Sequence, residues 1–140
     1  MQHMKTIHIP ASTREIVDFV TSVGQRIASM HGVTLQAESA GNPVVIRTIP
    51  FVLENLIWLC LELGMSARLS EKTLTVIPDL GGKGPRIRIK GLQGLRDLNG
   101  DASLARRLGV LAGVAGAELT VDEESGEIVL SLPQDVNGRQ

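Results

Sequence analysis

The chain has 140 residues, room for one ordinary domain and no second full one. Hydrophobic residues make up 43% and charged residues 21%, and 14 Lys and Arg against 15 Asp and Glu leave a formal net charge of -1. That balance excludes a disordered chain and a uniformly basic nucleic-acid binder. The aromatic residues are Phe19, Phe51 and Trp58, with no Tyr, so base-stacking platforms are hardly available and the core must be aliphatic. The lone Cys60 excludes an internal disulfide and any multi-thiolate metal site, and its apolar neighbours mark a buried, inert thiol.

The opening residues lack the apolar stretch of a secretory signal. The run Phe51 to Leu63 is broken by Glu54, Asn55 and Glu62 and falls short of the roughly 20 residues that span a membrane. The expectation is a cytoplasmic protein with no membrane insertion. Residues 1–3 look like an expression remnant ahead of Met4, residues 4–133 are expected to form a single domain, and residues 134–140 a flexible tail.

In chain order, a short extended segment ends at Pro10, and Ser12-Thr13-Arg14-Glu15 offers a capping box for a first helix. Ile16, Phe19, Val20, Val23, Ile27 and Met30 recur at helical spacing, a stripe that suits packing on a sheet, although a partner-docking helix would carry the same pattern. Gly32 stops the helix, with His31 beside its C-terminal dipole as a capping residue. Val33 to Gln36 and Val44 to Ile46 read as strands with a turn between them. Pro50 suits the first turn of a helix that runs to about Leu63 and closes at Gly64. This helix is apolar nearly all round, so it must lie in the middle of a helical layer or in an interface.

Lys72 to Pro78 and Pro85 to Lys90 flank Gly81-Gly82-Lys83-Gly84 as a long hairpin. In its second arm, Arg86, Arg88 and Lys90 alternate with Ile87 and Ile89, giving one core face and one cationic face. Residues 91–101 form a loop, and Ala102 to Ala115 a helix with Leu104, Leu108, Leu111 and Ala112 inward. Ala117 to Val121 and Glu127 to Leu132 complete the strands. The simplest packing is an α+β, two-layer sandwich: one mixed, largely antiparallel sheet with three helices on one face.

The stretch Ile49-Pro50-Phe51-Val52-Leu53-Glu54-Asn55-Leu56-Ile57 resembles the opening of the asparagine-box helix in the catalytic, ATP-binding domain of bacterial sensor histidine kinases, the Bergerat or GHKL fold. Leu108 through Leu119, and the strand Glu127 to Pro133, resemble the helix, two-glycine turn, hairpin and Leu-Pro ending that close such domains. The resemblance implies the fold and a place in two-component signalling. It does not carry the nucleotide site across. Asn55 matches the family's first asparagine, but the magnesium-binding asparagine expected four residues on is Leu59, which has no oxygen to offer. The Asp-x-Gly-x-Gly element that should follow the strand Pro85 to Ile89 reads Lys90-Gly91-Leu92-Gln93-Gly94. The glycine-rich phosphate segment reads Asn99-Gly100-Asp101-Ala102-Ser103-Leu104. Asp79-Leu80-Gly81-Gly82-Lys83-Gly84 imitates a nucleotide motif, but no helix follows it and a hairpin turn accounts for it.

The resemblance therefore implies a degenerate domain: a non-catalytic regulatory or protein-binding module that needs no cofactor. The alternative is a divergent ATP- and Mg2+-binding kinase, of histidine-kinase or anti-sigma type, with Glu54, Asn55, Asp79, Gly81 and Gly84 as its pocket. A third reading is a phosphorelay docking component similar to bacterial histidine phosphotransferases, lacking their helical dimerisation unit. His3, His8 and His31 are too dispersed for a metal site. Residues 82–107 carry a net +5 and residues 108–140 a net -5, a segregation that can steer an acidic partner or support head-to-tail association. Trp58 is expected to anchor a protein partner or a weak homodimer, with Arg86, Arg88 and Lys90 as a cationic partner surface. Nucleic acid is not an expected partner.

Overall fold

The computed structural model describes residues 8–38, 44–66, 72–81, 84–92 and 102–134. Its elements are β1 (Ile9–Ser12), α1 (Thr13–Met30), β2 (Val33–Ala37), β3 (Val45–Thr48), α2 (Pro50–Ser66), β4 (Lys72–Gly81), β5 (Gly84–Lys90), α3 (Ala102–Ala115), β6 (Glu118–Asp122) and β7 (Glu127–Ser131). All ten follow the order that periodicity and turn residues predict. The strands, expected in one sheet, divide in two: a five-stranded sheet ordered β2-β4-β5-β7-β6 and a two-stranded ribbon of β1 and β3. An isolated bridge from Ile46 to Gln134 joins the ribbon to the chain just after β7. In the large sheet only the β2-β4 pair is parallel, so the architecture is α+β with a mixed, largely antiparallel sheet and three helices.

Strand alternation gives the large sheet one apolar and one polar face. Val33, Leu35, Leu74, Val76, Ile87, Ile89, Ile128 and Leu130 are buried in a single core cluster with the helices, each aliphatic side chain contributing about 1.5–3 kcal/mol when fully removed from water. Helix α2 packs against both α1 and α3. That middle position accounts for its composition: Leu53, Leu56, Ile57, Cys60 and Leu61 are fully buried. The helix does not close at Gly64 as expected but continues to Ser66; helix propensity at one glycine, worth about 1 kcal/mol, is overridden by burial of Met65 in the next turn.

Helix α1 departs furthest from expectation. Ser12 accepts a hydrogen bond from the Glu15 backbone N–H, and His31 ends the helix with its N–H donating to the Ala28 carbonyl, before Gly32 at φ 73°. The buried face, however, is Thr13, Ile16, Val17, Val20, Thr21, Gly24 and Ala28. Phe19, Val23, Ile27 and Met30, expected on the core side, are 53%, 60%, 44% and 79% exposed. The reason lies in Gly24, where an added Cβ would overlap the Trp58 ring of α2. Close approach of the two helices selects small residues for the contact and turns the larger ones outward.

The C-terminal end of α3 is held by two residues distant in sequence. Buried Thr48 donates its hydroxyl to the Ala115 carbonyl at 2.7 Å, and the His8 ring Nε2 bonds the Val114 carbonyl at 2.9 Å. Two carbonyls that a helix end leaves without intrahelical donors are thereby satisfied.

Candidate functional site

The helical layer presents a ridge along α2 formed by Phe51, Asn55 and Trp58, with a groove on either side. The groove toward α1, about 190 Å³, is walled by Phe19, Val20, Val23, Phe51 and Trp58, with Glu54 and Asn55 as its polar groups. The groove toward α3, about 210 Å³, adds Val52, Leu59, Glu62, Arg107 and Leu111. Burial pushes the Glu54 carboxyl above its ordinary value, because a carboxylate beside apolar walls loses solvation. Asn55 is exposed and donates from Nδ2 to the Phe51 carbonyl one turn back at 2.7 Å, a local side-chain bond to its own helix. Asn55 and Glu62 share the α3-side groove, as their spacing predicts. Leu59 is buried in the hydrophobic core.

The remaining residues of the nucleotide alternative lie elsewhere. Asp79 pairs in register with Arg86, and alternation puts both on the sheet face turned away from the helices. Arg86 Nε donates to Asp79 Oδ1 at 2.6 Å, and Arg88 Nη1 reaches Asp79 Oδ2 at 3.4 Å. Arg88 Nε also donates to Glu127 Oε2, a bond that, with the Asp79 contact, raises the Arg88 pKa further. Gly81 and Gly84 pair with each other at the end of the hairpin, on either side of Gly82 and Lys83, which lie outside the described residues. The structure thus brings Glu54 and Asn55 together and sets Asp79, Gly81 and Gly84 apart from them, on the sheet.

After β5, where the family's adenine-binding aspartate is expected, Gly91 has φ 93° and Leu92 is buried, its N–H bonded to the Gly126 carbonyl at 2.9 Å. The rest of that element and the glycine segment Asn99-Gly100-Asp101 lie outside the described residues. Among the described residues no cluster of three or more His, Cys, Asp or Glu side chains could hold a metal, and no helix is long and apolar enough to cross a membrane.

Of the expected partner residues, Lys90 is exposed at the end of β5, while Arg86 and Arg88 have their charge answered by Asp79 and Glu127. Trp58 is half-buried and packs against the core. The exposed rings are Phe19 and Phe51, the latter 72% exposed, neither of them among the expected partner residues. A signal for the ion pairs was present: a hairpin closing through Gly81 and Gly84 places residue 79 opposite 86.

No protein-family model and no curated protein matches the chain. Solved structures do match in fold. The catalytic domain of histidine kinase ThkA superposes with a TM-score of 0.71 at 8% identity, covering 94% of this chain and 98% of that one. The mycobacterial sensor histidine kinase MprB gives 0.67 at 15% identity, covering 92% and 100%. Full-length ShkA in complex with AMPPNP gives 0.72 at 11% identity, covering 96% of this chain and 33% of that one. The chain has the GHKL fold of histidine-kinase catalytic domains.

Proposed function

We propose that this protein is a non-catalytic, protein-binding or regulatory module built on the histidine-kinase ATPase fold, and that it does not bind ATP. The observation that carries this reading is at Leu59. The position where the resemblance expects a magnesium-binding oxygen is an aliphatic side chain within the core. Support for a binding role comes from the surface left uncovered: Phe19, Val23, Ile27, Met30 and Phe51 place large apolar side chains in water along α1 and the start of α2. Such a surface fits a protein partner, for which a signalling component is the natural class given the fold. Calorimetric titration with ATP and Mg2+ tests the first part. No heat beyond dilution is expected, and saturable micromolar binding overturns it. Co-purification with the wild type but not with Phe19→Ser/Phe51→Ser supports the second part.

A second reading, a divergent ATP-binding kinase, draws on Asn55 and Glu62 lining one groove. Phosphoryl transfer that Asn55→Ala abolishes without loss of stability would favour it.

A further inference from the structure

Strand β6 is an edge of the five-stranded sheet, pairing with β7 alone among the described residues. An edge strand offers a row of unpaired amides and carbonyls, which natural sheets cover, shorten or charge. Here the edge is accompanied by a groove of about 470 Å³ between β6 and α3. Leu119 and Val121, with Glu118 beside them, form its strand side, and Ala105, Gly109, Ala112 and Gly113 its helix side. A Cβ added at Gly109 or Gly113 would meet nothing within 4 Å, so the helix wall leaves open space beside the groove.

Charge selects the occupant. From Glu118 to Glu127 the chain carries Glu118, Asp122, Glu123, Glu124 and Glu127 and no Lys or Arg. Glu127 is engaged by Arg88, and Asp122 Oδ1 accepts from the Glu124 and Ser125 N–H groups; every charged side chain of the strand and its turn is nonetheless acidic. A second copy pairing β6 to β6 antiparallel about Thr120 would set Glu118 opposite Asp122 twice, and like charges directly opposite are destabilising. An extended segment with alternating basic and aliphatic residues meets no such conflict. Its aliphatic side chains fall into the groove and its Lys or Arg side chains over Glu118 and Asp122, since successive side chains of a strand point to opposite faces.

We propose that the β6 edge and the β6-α3 groove take an extended basic segment of a partner protein as a sixth strand. The proposal is independent of whether the α1-α2 surface binds anything. The test uses the full chain, a labelled peptide of alternating Lys and Val, and a Glu-Val control, followed by amide NMR and fluorescence anisotropy. The expected result is saturable binding by the Lys-Val peptide, weakened by salt, with shifts and slowed amide exchange centred on residues 118–122. Gly113→Leu, which extends a side chain from the groove's helix wall where a Cβ meets nothing, is expected to weaken binding tenfold or more without lowering the thermal midpoint. Glu118→Lys is expected to reduce Lys-Val binding as well. Equal binding of the Glu-Val peptide, shifts centred on α1 and α2, or unchanged affinity in Gly113→Leu overturns the proposal. So does the absence of binding at millimolar peptide, or a β6-mediated dimer in sedimentation.

Discussion

At the scale of single residues, electrostatics separates two carboxylate environments. Glu54 lies beside the Phe51 and Trp58 rings and its pKa is raised by burial. The folded state therefore holds the proton more tightly than the unfolded chain. The stability that protonation brings is complete below the ordinary carboxyl value of 4.5 and is lost as pH rises through the raised folded value. Glu54→Gln is expected to raise the urea midpoint at neutral pH and to flatten its dependence on pH above the ordinary carboxyl value of 4.5; an unchanged slope would place the desolvated acid elsewhere. Asp79 and Glu127 are instead held by arginines across the polar sheet face. Arg88→Ala removes a partner from both acids and is expected to cost about 2 kcal/mol in urea unfolding, whereas Lys90→Ala, at an exposed position, should stay within about 0.5 kcal/mol. The cationic stripe was legible as a stripe. Its neutralisation was legible only at Asp79, through the hairpin register; Glu127 reaches Arg88 from a strand 39 residues away, and only the strand order brings them side by side.

At the scale of elements, what was legible depended on whether large apolar residues did the packing. The order of all ten elements followed from periodicity and turn residues, and α2 showed its central position in its composition. Helix α1 misled because hydropathy ranks Phe19, Val23, Ile27 and Met30 above Thr21, Gly24 and Ala28, while close helix packing ranks them the other way. Gly24→Ala places a methyl into the Trp58 ring and is expected to destabilise by about 1–3 kcal/mol, exceeding the gain of about 1 kcal/mol in helix propensity. Trp58 is the chain's single tryptophan, so its emission reports the contact directly. A red shift in folded Gly24→Ala confirms displacement of the ring, and wild-type emission with wild-type stability would show that the helices separate freely. The nucleotide site was read from letters at family positions, and the letters for its polar groups were absent; the grooves flanking α2 could not be read, since they depend on how α1 turns about its axis.

At the scale of the whole molecule, a single hydrophobic cluster unites residues from Ile16 to Leu132, which makes unfolding of its centre an all-or-none event. Cys60 sits there without exposure, and burial pushes its thiol up to about 12. At pH 8 only about one thiol in ten thousand would be ionised, and none would be reachable. Labelling by a disulfide reagent in native buffer is therefore expected to proceed no faster than global unfolding and to accelerate with urea in parallel with the loss of helical signal. Stoichiometric labelling within seconds would reveal an opening of the helical layer that leaves the sheet intact.

The seal at the end of α3 also has a place in time. Thr48 and His8 meet Ala115 and Val114 across sequence separations of 67 and 106 residues, so their loops close only at high entropic cost. The parallel β2-β4 pair and the α1-α2 contact lie closer in sequence and can order first. Bonds that close such long loops late in folding act as a latch on the finished molecule, controlling escape from the native state more than arrival at it. Thr48→Val is expected to speed unfolding severalfold and leave the refolding limb of the chevron nearly in place. A slowed refolding limb would instead put the contact of β3 with the end of α3 in the nucleus.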